Sequence, residues 1–181
     1  PDRTLVAIAG ADHLFTGRVE RVDVALFQTL LHEGIIPVVP PLGFDGDGKT
    51  YRVNSDSVAV EVAKALGATK LIFITTRDGL FTGDKLIRQI LVADLDRLLE
   101  QSALRPEFHS KASHAAAACH AGTPRVHIIN GQVDEGLLAE VFSNEGIGTL
   151  VYANEYQQIR RALKKDVRSI LLLTKGSVAT D

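Results

Sequence analysis

The chain has 181 residues, of which 45% are apolar and 23% charged, and its formal net charge is −2. That balance points to a soluble globular protein with a sizeable core and excludes a general electrostatic attraction to nucleic acid or anionic lipid. No apolar run reaches the roughly 18 to 20 residues of a membrane helix, and a single cysteine, Cys119, leaves no intrachain disulfide or thiolate metal cluster.

Short apolar runs alternate with amphipathic segments along the chain, the pattern of a mainly parallel sheet covered by helices. The first expected strand is Leu5–Ala9. A helix over Val22–Glu33 then places Val22, Leu26, Phe27, Leu30 and Leu31 on one face, with Gly34 as its stop. Ile35–Val39 reads as the second strand, and the glycine-rich segment Gly43–Lys49 as the turn of a hairpin between Val39 and Tyr51. Next come a helix over Ser55–Leu66, closed by Gly67 and facing inward through Val58, Val62 and Leu66, and a strand over Lys70–Thr75. Helices over Ala93–Gln101 and Ser110–Ala121, then strands over Arg125–Ile129 and Leu150–Tyr152, complete the pattern. Cys119 falls in the alanine-rich helix, and a cysteine-poor chain without a signal peptide is expected in a reducing compartment, the cytoplasm.

Three places could carry chemistry. In Tyr51-Arg52-Val53-Asn54-Ser55-Asp56, Asn54 or Ser55 can cap the following helix, and Asp56 in its first turn faces the positive end of the helix dipole. The same free amides, with Asn54, could instead hold an anion while Asp56 orients a lysine. Lys111 stands at the start of a helix, the wrong end for a cation, so it is either a solvated surface residue or is wanted by a phosphoryl oxygen or by Asp56. Thr75–Leu80 closes the most β-prone strand, where open parallel sheets place ligands; it also reads as a plain turn pinned to the core by Leu80 and Phe81. The six histidines show no metal-ligand spacing, and no metal site is expected. No Walker loop, nucleophile elbow or dinucleotide fingerprint is present.

Taken in order, Val53-Asn54-Ser55-Asp56, Leu71–Leu80, Lys111, Val126–Gly131 and Glu145-Gly146-Ile147-Gly148-Thr149 resemble the amino-acid kinase family. The likeness is greatest to the branch shared by N-acetylglutamate kinase and N-acetylglutamate synthase, and it covers nearly the whole chain. It implies an α/β/α three-layer sandwich with a mainly parallel sheet, incomplete at its N-terminal side, because the family's glycine-rich segment and first catalytic lysine have no counterpart here. Gln158–Ala162, with Asp166 opening an apolar helix, resembles the linker and first strand–helix unit of a GNAT acetyltransferase domain. The expected division is therefore residues 1–154, a partial kinase-like domain, and 155–181, a linker and the start of an acetyltransferase domain.

By that resemblance the parent protein would transfer an acetyl group from acetyl-CoA to L-glutamate, the first step of arginine biosynthesis. The acetyl-CoA site would lie beyond Asp181, so no residue for acetyl transfer is expected within this chain. Asn54, Asp56 and Lys111 match the family's substrate and nucleotide pocket: Asp56 the aspartate that organises the catalytic lysines, Lys111 the lysine on the transferring phosphoryl group. Arg52 departs from the pattern, standing where kinases have an asparagine. His127, Glu140 and Gly146 match, at the same spacing, the arginine site of arginine-inhibited members, where Glu140 would pair with the guanidinium. The resemblance leaves two alternatives, an N-acetylglutamate kinase using ATP and a non-catalytic arginine-binding module. It also implies a homo-oligomer, with N-acetylglutamate as product or substrate and arginine as effector.

Overall fold

The computed structural model describes residues 16–142 and 146–154, together with Val167. In chain order its elements are β1 (Thr16–Gly17), α1 (Val24–His32), β2 (Leu42–Phe44), β3 (Thr50–Val53), α2 (Ser55–Leu66), β4 (Lys70–Thr75), β5 (Phe81–Thr82), β6 (Lys85–Leu86), β7 (Gln89–Leu91), α3 (Val92–Glu100), α4 (Pro106–His120), β8 (Arg125–Asn130), α5 (Gly136–Phe142) and β9 (Thr149–Tyr152). The expected strand Leu5–Ala9, and the linker and acetyltransferase-like unit expected over 155–181, lie outside these residues.

Local chemistry sets the helix bounds. Asn54 is extended and its side chain accepts from the Asp56 and Ser57 amides, so α2 begins at Ser55; Gly67, left-handed at φ 61°, ends it. Gly34 does the same after α1 at φ 73°. Pro106 opens α4, where its missing N–H costs nothing.

The main sheet runs β4-β8-β9-β7: β4 and β8 are parallel, β7 and β9 are parallel, and β8 meets β9 antiparallel. It is thus mixed, and the expected strand at Leu150–Tyr152 forms in the direction opposite to β8. A smaller sheet, β1-β3-β2, contains the expected hairpin as β2 and β3, and β5 pairs with β6 in a short ribbon.

Side chains alternate across β8. Val126 and Ile128 enter the main core with Phe73, Val151, Leu95 and the inner faces of α2, α3 and α4, while His127 lies on the opposite face and meets Glu140 of α5. That alternation gives three layers, with α2, α3 and α4 on one side of the sheet and α5 on the other. Leu95, Val126 and Val151 are fully buried, each contributing about 1.5–3 kcal/mol of hydrophobic stabilisation.

Two expectations are corrected. Ile35–Val39 is not a strand: Ile36 and Val38 are 84% and 93% exposed, because a strand needs a ladder partner and none of the described strands supplies one. In α1 the apolar stripe is present but none of its residues is buried, and in α2 the inward residues are Asp56, Val60 and Ala63 instead of Val58, Val62 and Leu66. Among the described residues, no helix is long and apolar enough to cross a membrane.

Candidate functional site

Two polar centres lie on opposite faces of the sheet. The first joins the N-terminal turn of α2 to α4. Asp56, aimed inward by its place in that turn, receives the Lys111 ammonium at 2.5 Å, with side chains 12% and 28% exposed. The same ammonium lies 5.3 Å from the centre of the Phe73 ring, a cation–π contact that adds to the pair. Asn54 spends its side-chain oxygen on capping α2, with bonds of 2.9 and 3.0 Å, and Arg52 is exposed. The structure therefore brings Asn54, Asp56 and Lys111 together, and it corrects the expected helix start: α4 begins at Pro106, so Lys111 lies in its second turn, past the reach of the helix-end dipole, and its partner is a carboxylate 55 positions away.

A second bridge runs beside it. The Ser57 hydroxyl lies 3.1 Å from His114 Nε2, and His114 Nδ1 donates to the Ser110 carbonyl at 2.7 Å. Metal-ligand spacing does not single out His114; the signal that marks it is its spacing of three from Lys111, one turn along the same face of α4.

One turn before Lys111, Phe108 lines a cleft of about 250 Å³ at the carboxyl ends of β4 and β8, walled further by Thr76, Arg77, Asp78, Asp84, Arg105 and Asn130. Asn130 donates to Asp78 at 2.8 Å, and Arg105 ties the β5–β6 ribbon to α4 through Asp84 at 2.5 Å and the Gly83 carbonyl at 2.9 Å. Leu80 pins the loop, fully buried, as expected. The residues fit a phosphoryl group only in part. Lys111 supplies a cation already held by Asp56, and the cleft sets Asp78, Asp84 and Glu107 against Arg77 and Arg105.

The second centre is built by β8, α5 and the turn before β9. His127 Nδ1 donates to Glu140 Oε1 at 2.7 Å, while the Ile147 and Gly148 amides donate to Oε2 at 2.6 and 3.1 Å. Glu140 is only 6% exposed. Burial pushes its carboxyl up, but the bonds from His127, Ile147 and Gly148, with the charge His127 can carry, outweigh it and hold the group below the usual carboxylate range. Gly146 sits at φ 59°, and a Cβ there would lie 2.9 Å from Glu140 Oε2. His127, Glu140 and Gly146 thus converge. His127 Nε2, buried, finds no partner among the described residues, an arrangement that invites a ligand or water. Among the described residues no group of three or more His, Cys, Asp and Glu side chains is placed to hold a metal ion.

The Acetylglutamate kinase of Kosmotoga olearia is 42% identical over 137 residues, 76% of this chain and 49% of that protein. The Acetylglutamate kinase of Methanocaldococcus jannaschii is 38% identical over 139 residues, 75% of this chain and 46% of that protein. The chain spans about half the length of the curated relatives it matches. In solved structures it resembles N-acetylglutamate synthase from Neisseria gonorrhoeae complexed with coenzyme A and L-arginine, with TM-score 0.79 and 32% identity over 96% of this chain and 41% of that one. A carbamate kinase from Giardia lamblia shares the fold at 16% identity and TM-score 0.60, over 77% of this chain and 46% of that one. The sequence pattern of the Amino acid kinase family matches residues 4–130, and the chain belongs to that family.

Proposed function

We propose that this chain is the kinase-like, arginine-sensing portion of an N-acetylglutamate synthase, whose complete form moves an acetyl group from acetyl-CoA to the amino group of L-glutamate. The observation that carries this reading is the reach of the two likenesses. The matches to the acetylglutamate kinases cover 76% and 75% of the chain. The match to the synthase structure covers 96% of the chain at 32% identity. Acetyl-CoA would then bind outside this chain, and the kinase-like domain would serve regulation.

The Glu140 centre suits an arginine effector. An ionised carboxylate at low exposure pairs with a guanidinium through charge-assisted bonds, and Gly146, having no Cβ, lets its backbone pack directly against the Glu140 carboxylate. The synthase structure from Neisseria gonorrhoeae was solved with L-arginine, which supports the same ligand here. The arrangement is read as part of a homo-oligomeric enzyme of the cytoplasm.

One observation favours the second reading, an N-acetylglutamate kinase: the Asp56–Lys111 pair is formed at 2.5 Å. ATP chemistry would be phosphoryl transfer, with Lys111 meeting the phosphoryl charge and Asp56 holding the lysine in place. The partial fit of the cleft argues for the first reading.

The test is an assay of the parent protein with each substrate pair. Acetylation of glutamate by acetyl-CoA, changed in rate by L-arginine, is the expected result. ATP-dependent phosphorylation of N-acetylglutamate without acetyl transfer would replace it with the kinase reading. Calorimetric titration of the parent protein and its Glu140→Ala variant with L-arginine checks the sensor, and binding undiminished in the variant would remove Glu140 from it.

A further inference from the structure

The Glu140 centre and the strand-end cleft share one short segment of chain, the turn from Gly146 to Thr149. At one end of the turn the Ile147 and Gly148 amides hold Glu140 Oε2. At the other, the Thr149 hydroxyl, fully buried, is used twice: it accepts the Leu80 amide at 2.8 Å and donates to the Ile87 carbonyl at 2.6 Å. The Ile147 carbonyl, between them, accepts Arg88 Nη1 at 2.8 Å. Leu80 terminates the loop that carries Thr76, Arg77 and Asp78 into the cleft.

The turn is also closely seated. Atoms at the Cβ position of Gly148 would overlap the Ile128 carbonyl, and atoms at that of Gly79 would overlap the Thr149 hydroxyl. Packed in this way, the segment cannot shift at the Glu140 end without disturbing either the Ile147–Arg88 bond or the two bonds of Thr149. A buried hydroxyl that loses both partners is left unsatisfied, which ties movement at the Glu140 end to the Leu80 loop wherever the Ile147–Arg88 bond does not give way first.

We infer that the Gly146–Thr149 turn couples the Glu140 centre to the strand-end cleft, with Thr149 as the positioning residue that passes a change at Glu140 to the Leu80 loop. The identity of the effector rests on the arginine reading above; the coupling itself does not. A ligand that draws Glu140 away from the Ile147 and Gly148 amides releases the turn, and the loop bearing Thr76, Arg77 and Asp78 follows. Coupling of this kind changes affinity by about 5–150-fold between sites.

The test is amide hydrogen exchange, resolved by residue, on the parent protein and its Glu140→Gln, Thr149→Val and Thr149→Ser variants, each with and without L-arginine. In Glu140→Gln the Ile147 and Gly148 amides should exchange faster, and the Leu80 amide should follow by about tenfold. Thr149→Ser, which keeps the hydroxyl, should preserve the response of Leu80 to arginine. Thr149→Val should abolish that response while arginine affinity stays within about twofold of the parent's. Faster exchange at Ile147 and Gly148 with Leu80 unchanged would overturn the coupling. So would an arginine response at Leu80 that survives in Thr149→Val. If arginine binds to none of the proteins, the effector reading fails, and the Glu140→Gln comparison still decides the coupling. Should Thr149→Val not fold, Thr149→Ser combined with Glu140→Gln supplies the deciding measurement: Leu80 must respond as in Glu140→Gln alone.

Discussion

The Lys111 ammonium sits 2.5 Å from the Asp56 carboxylate, binding the second turn of α4 to the start of α2 across 55 residues of sequence. Each group is partly withdrawn from water, so each depends on the other. Lys111→Met should cost about 1–3 kcal/mol of stability, less than the full price of a deeply buried pair because α2's N-terminal dipole still faces Asp56. Asp56→Asn should cost a similar amount, and the double variant less than the two costs added together. Urea denaturation of the three variants checks this; strict additivity would mean that the pair holds nothing.

Cys119 is buried beneath β9. Burial, with the negative charge of Asp96 adding to it, pushes its thiol up to about 11. Only the thiolate reacts with iodoacetamide, so the folded protein should label about 100-fold more slowly at pH 8 than the denatured chain. Rapid labelling under native conditions would place Cys119 in contact with solvent and contradict its burial.

Gly148→Ala tests close packing alone, since Gly148 is outside the positive-φ glycines. The added methyl would overlap the Ile128 carbonyl and press on Ile129 at 2.9 Å. Backbone cannot swing aside as a long side chain can, so the expected loss is about 1–3 kcal/mol or more. Gly34→Ala meets no atom of the described residues within 4 Å and strains only its left-handed backbone at φ 73°, at about 1 kcal/mol. Thermal melts of the two variants should rank them in that order.

What could be read in the sequence was what local chemistry decides. The bounds of α2 follow from Asn54 and Gly67, and β4 and β8 follow from β-branched runs between turn residues. Ile35–Val39 carries the same pattern, but strand formation needs a partner that lies elsewhere in the chain, and among the described strands it has none. Helix α5 escaped notice because Gly136–Phe142 is seven residues long and follows Glu135 at φ 55° without a clear cap signal. The pairing of Asp56 with Lys111 was one of the readings that helix-end chemistry left open, whereas the convergence of His127 with Glu140 was legible through the family resemblance alone. The Ser57–His114 bridge and the double use of the Thr149 hydroxyl are tertiary contacts across 57 and 62 to 69 residues, which no periodicity encodes.

Glu140 should leave a signature in the pH dependence of stability. Its carboxyl titrates lower in the folded protein than the usual carboxylate, because three donors favour its charged form more than burial disfavours it. The unfolded chain therefore takes up the proton first as pH falls, from about pH 4.3 downward. The stability that Glu140 contributes is fully present above that value and is lost as pH falls through its lower, folded value. Glu140→Gln keeps an oxygen for the Ile147 and Gly148 amides but has no charge to lose. Its melting temperature should fall below the parent's near neutral pH, by the equivalent of about 1–3 kcal/mol, and the two curves should converge in acid. A constant gap between them from neutral pH to the acid limb would show that the His127 and amide bonds favour the neutral carboxyl as much as the ion.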